Sequence, residues 1–244
     1  MTIVVMLTSC DTAQREKLAR LVAADYPEAT YDQNTNTVTL VYPDDGVHYD
    51  LNNHKDIATQ WAVTLLQKNL KRDRKWLDLL TAVRKSGATI EYQITYPNGQ
   101  RETAVVYPTM LPGAFNTKDD AAYLELRSDM LLLNTTLPRT IKPGITLMRQ
   151  KMSKTEGLID ELLYPNSEIG DLRQFQEAVR QSHSADLAAL SHEVKTNKKA
   201  RQAVAHLVKL GLPRVYRKSQ PNHLVADDVI TAAELKQLLA TAPE

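Results

Sequence analysis

Two segments of the chain resemble each other at positions where the backbone restricts the residue type. Residues 73–111 align without a gap against residues 197–235, at a displacement of 124 residues. The identical residues include a helix-ending glycine, Gly87 and Gly211, and the Pro-Asn of a turn, at 97–98 and 221–222. These are positions where the backbone conformation restricts the residue type. A repeat of this length predicts two structural units built on one plan.

Hydrophobic periodicity predicts the order strand, helix, helix, strand, strand within each unit. In the first copy, TVTLVY at 37–42 alternates as a half-buried strand, and helices are predicted at about 53–70 and 73–86. ATIEYQITY at 88–96 then reads as an antiparallel strand, and Asn98-Gly99 predicts a type I′ hairpin to a returning strand. The predicted fold class is α+β: two related βααββ units with antiparallel sheets and helices packed on one face.

Two similar loops are interpreted as one motif used twice. YPDDGVHYDL at 42–51 aligns with YPNSEIGDL at 164–172, so that Tyr42 lies over Tyr164 and Asp50 over Asp171. The second unit has a longer helical section, about 168–195, and His223 in place of Gly99. Its last helix is predicted to begin at a capping box formed by Thr231 and Glu234.

The predicted organisation has three parts. Residues 1–10 are a candidate truncated lipoprotein leader, and residues 11–118 hold a first helix, starting at an Asp11 cap, with the first unit. Residues 119–244 hold a connecting helix capped by Asp119 or Asp120, a hairpin with a type II turn at Pro143-Gly144, and the second unit.

The first ten residues, MTIVVMLTSC, support two interpretations. LTSC is the pattern of a lipobox, whose cysteine carries the lipid, although a leader normally has a basic start and a longer apolar stretch. Alternatively, residues 3–7 form a buried strand and Cys10 is a small apolar side chain at its end. Cys10 is therefore the candidate lipidation site.

Composition excludes several classes of protein. Hydrophobic residues make up 43% of the 244, which is typical of a folded protein. A net charge of +1 disfavours nucleic acid as a partner, and a single cysteine excludes disulfide frameworks and cysteine-based zinc sites. The sequence lacks Gly-rich phosphate loops, the Gly-x-Ser-x-Gly elbow and the His-Glu-x-x-His pair, and no metal or cofactor is predicted.

The remaining candidate residues form three groups. The histidines are not spaced as ligands on one helical face, and the acidic pairs 44–45, 119–120 and 227–228 are best explained as caps. Two basic helix corners are candidate anion-binding sites, although basic side chains that complement a helix C-terminus in a solvated turn are the favoured explanation. A tyrosine stripe is a candidate ligand face, or else the face beneath the helices. The corner residues are Lys71, Arg72, Lys198 and Lys199, and the stripe is Tyr92, Tyr96 and Tyr107.

One resemblance to a known family is carried by residues between the two units. Asn134, Leu137-Pro138, Ile141, Gly144 and Thr146-Leu147, followed by the βααββ pattern, resemble cell-envelope lipoproteins of the Bacteroidetes type. These proteins carry such a unit singly or in tandem behind a lipobox. The resemblance implies an exported, lipid-anchored protein and supplies no catalytic residues.

Three functions follow as hypotheses. The first is a non-enzymatic lipoprotein that acts as a binding or structural module at the cell envelope, with the membrane and a protein or glycan as partners. The second is a cytoplasmic protein that binds nucleic acid or another polyanion through its paired basic corners. The third is a hydrolase whose site no short motif reveals.

Overall fold

The computed structural model describes residues 3–115, 117–165 and 169–241, with side chains from residue 11 onward. The chain divides into two compact units, Met1–Thr135 and Thr136–Glu244. Helices account for 50% of the residues and strands for 24%, arranged in two separate sheets. The predicted α+β class is confirmed.

The first unit contains a four-stranded sheet in the order β1-β2-β3-β4. Helices α2 and α3 connect the parallel strands β2 and β3, and α5 packs on α2. In chain order its elements are α1 (Ile3–Asp25), β1 (Ala29–Asp32), β2 (Thr37–Tyr42), α2 (Lys55–Arg72), α3 (Lys75–Ser86), β3 (Thr89–Thr95), β4 (Arg101–Val106), a 3-10 turn (Pro108–Met110), α4 (Leu111–Phe115) and α5 (Ala121–Asn134).

The second unit contains a five-stranded sheet in the order β5-β6-β7-β8-β9. Helices α6 and α7 connect the parallel strands β7 and β8, and α8 packs on α7. In chain order its elements are β5 (Arg139–Lys142), β6 (Ile145–Ser153), β7 (Gly157–Leu163), α6 (Leu172–Thr196), α7 (Lys198–Leu210), β8 (Arg214–Ser219), β9 (Val225–Ile230) and α8 (Ala232–Ala240).

The two units share strand register as well as element order. In the hairpin of the first unit Ile90 pairs with Val106, and in that of the second Arg214 pairs with Ile230. Each second-unit residue lies 124 positions after its first-unit counterpart, which is the displacement of the sequence repeat. The βααββ plan is therefore used twice.

The junction between the paired helices also has the same hydrogen bonds in both units. Asp73 and Asn197 are both extended residues whose N–H closes the preceding helix, onto the carbonyls of Asn69 and Glu193 respectively. Their side chains also accept from the first N–H groups of the next helix, Asp73 from Lys75 and Asn197 from Lys199. Gly87 and Gly211 then end α3 and α7 in the left-handed conformation, with φ of 64° and 67°.

The predicted type I′ turn at Asn98-Gly99 is wrong, because only Gly99 has a positive φ. The Gly99 N–H donates to the Tyr96 carbonyl, so the loop is a three-residue type I turn with a left-handed last residue. In the second unit the His223 N–H donates to the Gln220 carbonyl in the same way, and His223 has φ of 67°. The turn has kept its shape although the glycine is lost.

Each sheet is mixed and not purely antiparallel. The hairpins are antiparallel as predicted, but β2 pairs parallel with β3, and β7 with β8. The physical reason is the two-helix connection, which carries the chain back to the end of the sheet where the preceding strand began, so that the next strand runs in the same direction. Helices α2 and α6 pack over β4 and β9, so the inner face of each sheet lies under its helices.

Two predictions at the N-terminus are corrected. Residues 3–7 are not a strand, because α1 begins at Ile3 and runs without a break to Asp25. Asp11 therefore lies inside a helix and does not cap its start. A short apolar run cannot be assigned to strand or helix by periodicity alone, which explains the error. Cys10 is on α1, and its side chain lies outside the described part of the chain.

The loop motif at 42 and 164 is not equivalent in the two units. Tyr42 pairs with Ile94, and the residue that pairs with the corresponding Lys218 is Leu162, not Tyr164. Asp171 caps α6, whereas α2 starts after His54. The caps predicted at Asp120 and Thr231 are present, and the helix that Asp120 caps belongs to the first unit.

The shared turn predicts opposite effects for one pair of substitutions. We expect His223→Gly to raise the free energy of unfolding by about 1 kcal/mol, because a side chain is strained at positive φ. Gly99→His is expected to lower it by a similar amount. Urea unfolding measures both, and His192→Gly within α6 is a control expected to destabilise. A destabilised His223→Gly protein would contradict this account of the turn.

Candidate functional site: an ionic layer and an open groove

The helix-facing side of the first sheet is apolar. Leu40 on β2, Ile90 and Ile94 on β3 and Ala104 on β4 are all fully buried beneath the helices. Tyr92 lies among them, with its ring 5.7 Å from that of Trp61 on α2. This interface is an ordinary hydrophobic core between a sheet and its covering helices.

The same side of the second sheet carries charges. Strand register and the 124-residue displacement place Arg214 at the position of Ile90, Lys218 at that of Ile94 and Asp228 at that of Ala104. Asp160 pairs with Tyr216 as Leu40 pairs with Tyr92. Asp160, Lys218 and Asp228 are each at most 5% exposed. These charged side chains and their partners on α6 and α8 are called here the ionic layer.

Arg214 forms the first part of the ionic layer. Its Nε donates to Asp160 Oδ2 at 2.9 Å, and its guanidinium lies 5.2 Å from the centre of the Tyr216 ring. Gln150 Nε2 donates to the other carboxylate oxygen of Asp160. Glu193 on α6 lies 3.8 Å from the guanidinium. The buried carboxylate is thus compensated on both oxygens, as a charge removed from water requires.

Lys218 forms the second part. Its Nζ contacts the carboxylate of Asp186 and donates to Ser182 Oγ at 2.6 Å, both on α6. Ser182 Oγ in turn bonds the carbonyl of Val179 at 2.7 Å. Lys218, Ser182 and Asp186 satisfy one another's hydrogen-bonding groups, and Lys218 is almost completely shielded from water.

His183 forms the third part and joins three elements. Its Nδ1 lies 2.6 Å from Asp228 Oδ1 on β9, and its Nε2 lies 3.0 Å from Glu234 Oε1 on α8. The hydrogen bond to Asp228, and then the one to Glu234, raise the pKa of His183. Hydrogen bonds from the Thr231 hydroxyl and N–H, with a further one from His183, lower the pKa of Glu234 to about 2.

Asp228 is under opposing influences. Burial raises the pKa of its carboxyl group and the hydrogen bond with His183 lowers it, while the neighbouring Asp186 raises it again, and the net direction is upward. Its second oxygen, Oδ2, is buried and has no hydrogen-bond partner in the described part of the chain. The carboxylate therefore depends on His183 and, through its charge, on Lys218.

The ionic layer is suited to holding elements together more than to catalysis. Ser182 and Lys218 are at the distance of a nucleophile and its base, yet a base must be neutral to accept a proton. Lys218 Nζ is instead engaged in an ion pair with the Asp186 carboxylate.

The first unit has an open groove at the corresponding place. The groove is about 560 Å³ in volume and lies between the start of α2, strand β4 and the turn that follows it. Its floor includes Ala58, Ala104 and Val105, and its rim includes Tyr107 and Met110, which are 53% and 37% exposed. Lys55 and Asp56, exposed on the first turn of α2, form part of the wall.

The groove and the His183 contacts occupy equivalent positions. At a displacement of 124 residues, Thr59 corresponds to His183, Ala104 to Asp228 and Met110 to Glu234. In the second unit, charged contacts therefore fill the position that is an open groove in the first unit.

Side chains already cover the edge of β4 beside the groove. Asn52 Nδ2 donates to the Arg101 carbonyl at 3.1 Å, its Oδ1 accepts from the Thr103 N–H at 3.3 Å, and Thr59 Oγ1 donates to the Val105 carbonyl at 3.2 Å. This edge is thus protected from pairing with another strand. A ligand of the groove would be recognised by side chains.

The tyrosine stripe does not form one face. Tyr92 is buried against Trp61, and its hydroxyl lies 3.4 Å from Asn69 Nδ2. Tyr96 is also buried, and its hydroxyl accepts from the Tyr49 N–H at 2.8 Å. Tyr107 alone of the three is exposed, at the rim of the groove. Tyr92 and Tyr96 therefore belong to the core, and only Tyr107 is available to a ligand.

The two basic corners differ. Lys71 and Arg72 end α2, and Arg72 forms an ion pair with Glu125 at 2.8 Å. Lys198 and Lys199 instead begin α7, so they do not complement a helix C-terminus. In the second unit that role belongs to Arg201, which donates to the carbonyls of Val194 and Lys195. The structure does not show a doubled anion site.

Sequence reasoning missed the ionic layer, although a signal was present. The aligned repeats replace Ile90, Ile94 and Ala104 by Arg214, Lys218 and Asp228, all at inward positions of strands. Read as strand-face substitutions, these changes indicate a buried charged interface. His183 was noticed only as one of six histidines, at 48, 54, 183, 192, 206 and 223.

Among the residues that the structure describes, no group of three histidine, cysteine or acidic side chains could hold a metal ion. Within the same residues, no helix is long and apolar enough to cross a bilayer. Comparison with protein-family models, with curated proteins and with solved structures finds no match. The resemblance to envelope lipoproteins stays a prediction.

The first unit supplies the test of the ionic layer, because it shows which apolar residues fit. We expect Arg214→Ile to lower the free energy of unfolding by about 3 to 5 kcal/mol, since Asp160 is left buried without its cation. The double variant Asp160→Leu with Arg214→Ile, which copies Leu40 and Ile90, is expected to recover at least half of that loss. Urea unfolding provides the measurement.

A matched control lies on the other face of the same strand. Arg217 pairs with Asp227 at 2.9 Å in a more exposed setting, and Arg217→Ile is expected to cost less than about 1 kcal/mol. Equal losses in the free energy of unfolding for Arg214→Ile and Arg217→Ile would show that the buried ion pair contributes no more than the exposed one.

Proposed function

We propose that this protein is a non-enzymatic binding module of the cell envelope, which is held at the membrane by a lipid on Cys10 and binds a glycan in the groove of the first unit. The observation that carries the binding role is the set of unpaired groups around the groove. The Tyr107 hydroxyl, the Lys55 ammonium and the Asp56 carboxylate have no hydrogen-bond or ion-pair partner among the described residues.

The chemistry of the groove favours a polyhydroxylated ligand. An exposed tyrosine ring offers a flat apolar surface for the C–H face of a sugar ring, with a hydroxyl at its edge. The neighbouring carboxylate and ammonium can accept from and donate to sugar hydroxyl groups. A volume of about 560 Å³ is within the usual range for small-ligand sites and would hold one or two sugar rings.

The contrast with the second unit supports a binding role over a catalytic one. In the ionic layer, acids and bases with shifted pKa values are engaged with one another. In the groove, the ionisable side chains Lys55 and Asp56 are solvent-exposed. Catalytic acids and bases usually combine a shifted pKa with access to substrate, whereas the shifted groups of the second unit, His183 and Glu234, are bonded to each other.

The anchor rests on the sequence of the first ten residues and on the family resemblance. A lipid contributes about 0.8 kcal/mol of membrane affinity for each buried methylene, so acyl chains on Cys10 would hold the protein at a bilayer without further contacts. Removal of the thiol removes the site of attachment.

The groove is tested with one variant and one control. Tyr107→Ala is expected to weaken binding to an array of purified bacterial envelope oligosaccharides about tenfold, because the stacking surface is lost. Val41→Ala, at a 60%-exposed position on strand β2 outside the groove, is expected to bind like the wild type. Failure of the wild type to retain any oligosaccharide, or equal binding by Tyr107→Ala, would refute the glycan role.

The anchor is tested separately in the native host. We expect metabolic labelling with palmitate to mark the wild-type protein and to be lost in Cys10→Ala, because the chain has no other thiol. Thr12→Ala, close by on the same helix, is expected to be labelled normally. Equal labelling of Cys10→Ala and wild type would exclude the anchor and leave the groove experiment unaffected.

A further inference from the structure

His183 makes both of its ring contacts to carboxylates that belong to other elements. Asp228 is on β9, and Glu234 is in the first turn of α8. A neutral imidazole carries one N–H and one acceptor nitrogen, whereas the imidazolium carries two N–H donors. Only the protonated ring can donate to both carboxylates at 2.6 and 3.0 Å. Two ionised carboxylates at these distances therefore favour the imidazolium.

The charged groups around the ring favour this state. Beyond the two carboxylates, Asp186 lies one turn further along α6 and is held by Lys218 from β8. Tyr164, at the end of β7, is near Asp186 and Asp228, and burial raises the pKa of its hydroxyl to about 12, so it is neutral. Glu234 is also held by its capping box with Thr231, so it is fixed in place as an anion.

Loss of the proton would leave one carboxylate facing an acceptor nitrogen. If Asp228 loses its donor, a buried carboxylate has neither oxygen bonded, since Oδ2 has no partner within the described residues. If Glu234 loses its donor, its carboxylate faces the acceptor nitrogen of His183, and the contact between α6 and α8 becomes repulsive. The first outcome costs more than the loss of an exposed ion pair, because Asp228 is only 5% exposed.

We propose that His183 is a pH-operated clamp, which in its protonated form fastens β9 and the start of α8 to α6 and, on losing its proton, loosens α8 from the second unit. The clamp occupies the place that the groove occupies in the first unit, so Glu234 on α8 stands where Met110 borders the open groove. Protonation keeps this place shut.

The direction of the pH effect follows from the shift of the histidine. The pKa of His183 is raised in the folded protein, above about 6.5 for an unstructured histidine. Its stabilising contribution is therefore complete below about pH 6.5 and is lost as the pH rises through the folded value. Glu234, whose pKa is lowered to about 2, stays ionised throughout this range.

Hydrogen exchange at the amides of residues 235–240 measures the clamp, after correction for the intrinsic dependence of exchange on pH. We expect protection of α8 to fall between about pH 6 and pH 9, by about tenfold for each unit by which the folded pKa of His183 exceeds the unfolded one. The amides of α5, in the first unit, are expected to show no such fall. NMR titration of the imidazole locates the folded pKa in the same sample.

Two variants at the same position separate charge from packing. His183→Gln, which is never charged, is expected to give low α8 protection at every pH. His183→Arg, which is always charged and can donate to two carboxylates, is expected to keep protection at high pH. His192→Gln, an exposed histidine further along α6, is expected to follow the wild type.

Three results would overturn the clamp. One is a wild-type profile that does not change with pH while His183 titrates. Another is a His183→Gln protein with the same pH-dependent fall as the wild type. The last is a folded His183 pKa at or below that of His192, which would mean that the two carboxylates do not hold the proton.

Discussion

The connection of two parallel strands by a helix pair is the constraint on which each unit depends. The crossover from β2 to β3, and again from β7 to β8, must bury one face of the sheet beneath the first helix of the pair. Helix junction, helix end and hairpin turn recur at the same displacement because they set the geometry of that crossover. The side chains at the buried face could therefore change only while the backbone arrangement of the crossover was kept.

The side chains at this buried face differ in polarity between the two units. The first unit uses aliphatic side chains between sheet and helices, whereas the second uses paired charges on the same strand positions. Buried ion pairs are seldom more stabilising than apolar side chains of similar size, because removing charges from water is costly. The second unit therefore holds its helices by contacts that depend on protonation, and the first by contacts that do not.

The two units consequently present different surfaces at one equivalent place. In the first, short side chains such as Ala58 and Thr59 leave a groove beside β4, rimmed by an exposed tyrosine. In the second, Ser182 and His183 at those positions reach across to β8, β9 and α8. Duplication allows such a difference, because one copy can change while the other keeps its role. Here one copy has an open groove, and the other is closed by ionic contacts.

The sequence alone determined the α+β class, the duplication and most elements, because glycine at a helix end, Pro-Asn in a turn and period-two strands are local signals that need no partner. It could not decide strand direction at the crossover, the conformation of residues 3–10, or which tyrosine is exposed. Those depend on contacts between residues far apart in the chain: Tyr92 is buried because Trp61 covers it, and His183 matters because β9 and α8 bring Asp228 and Glu234 to its two nitrogens. Only the tertiary structure specifies such contacts, since no local pattern encodes which distant carboxylates will meet one imidazole.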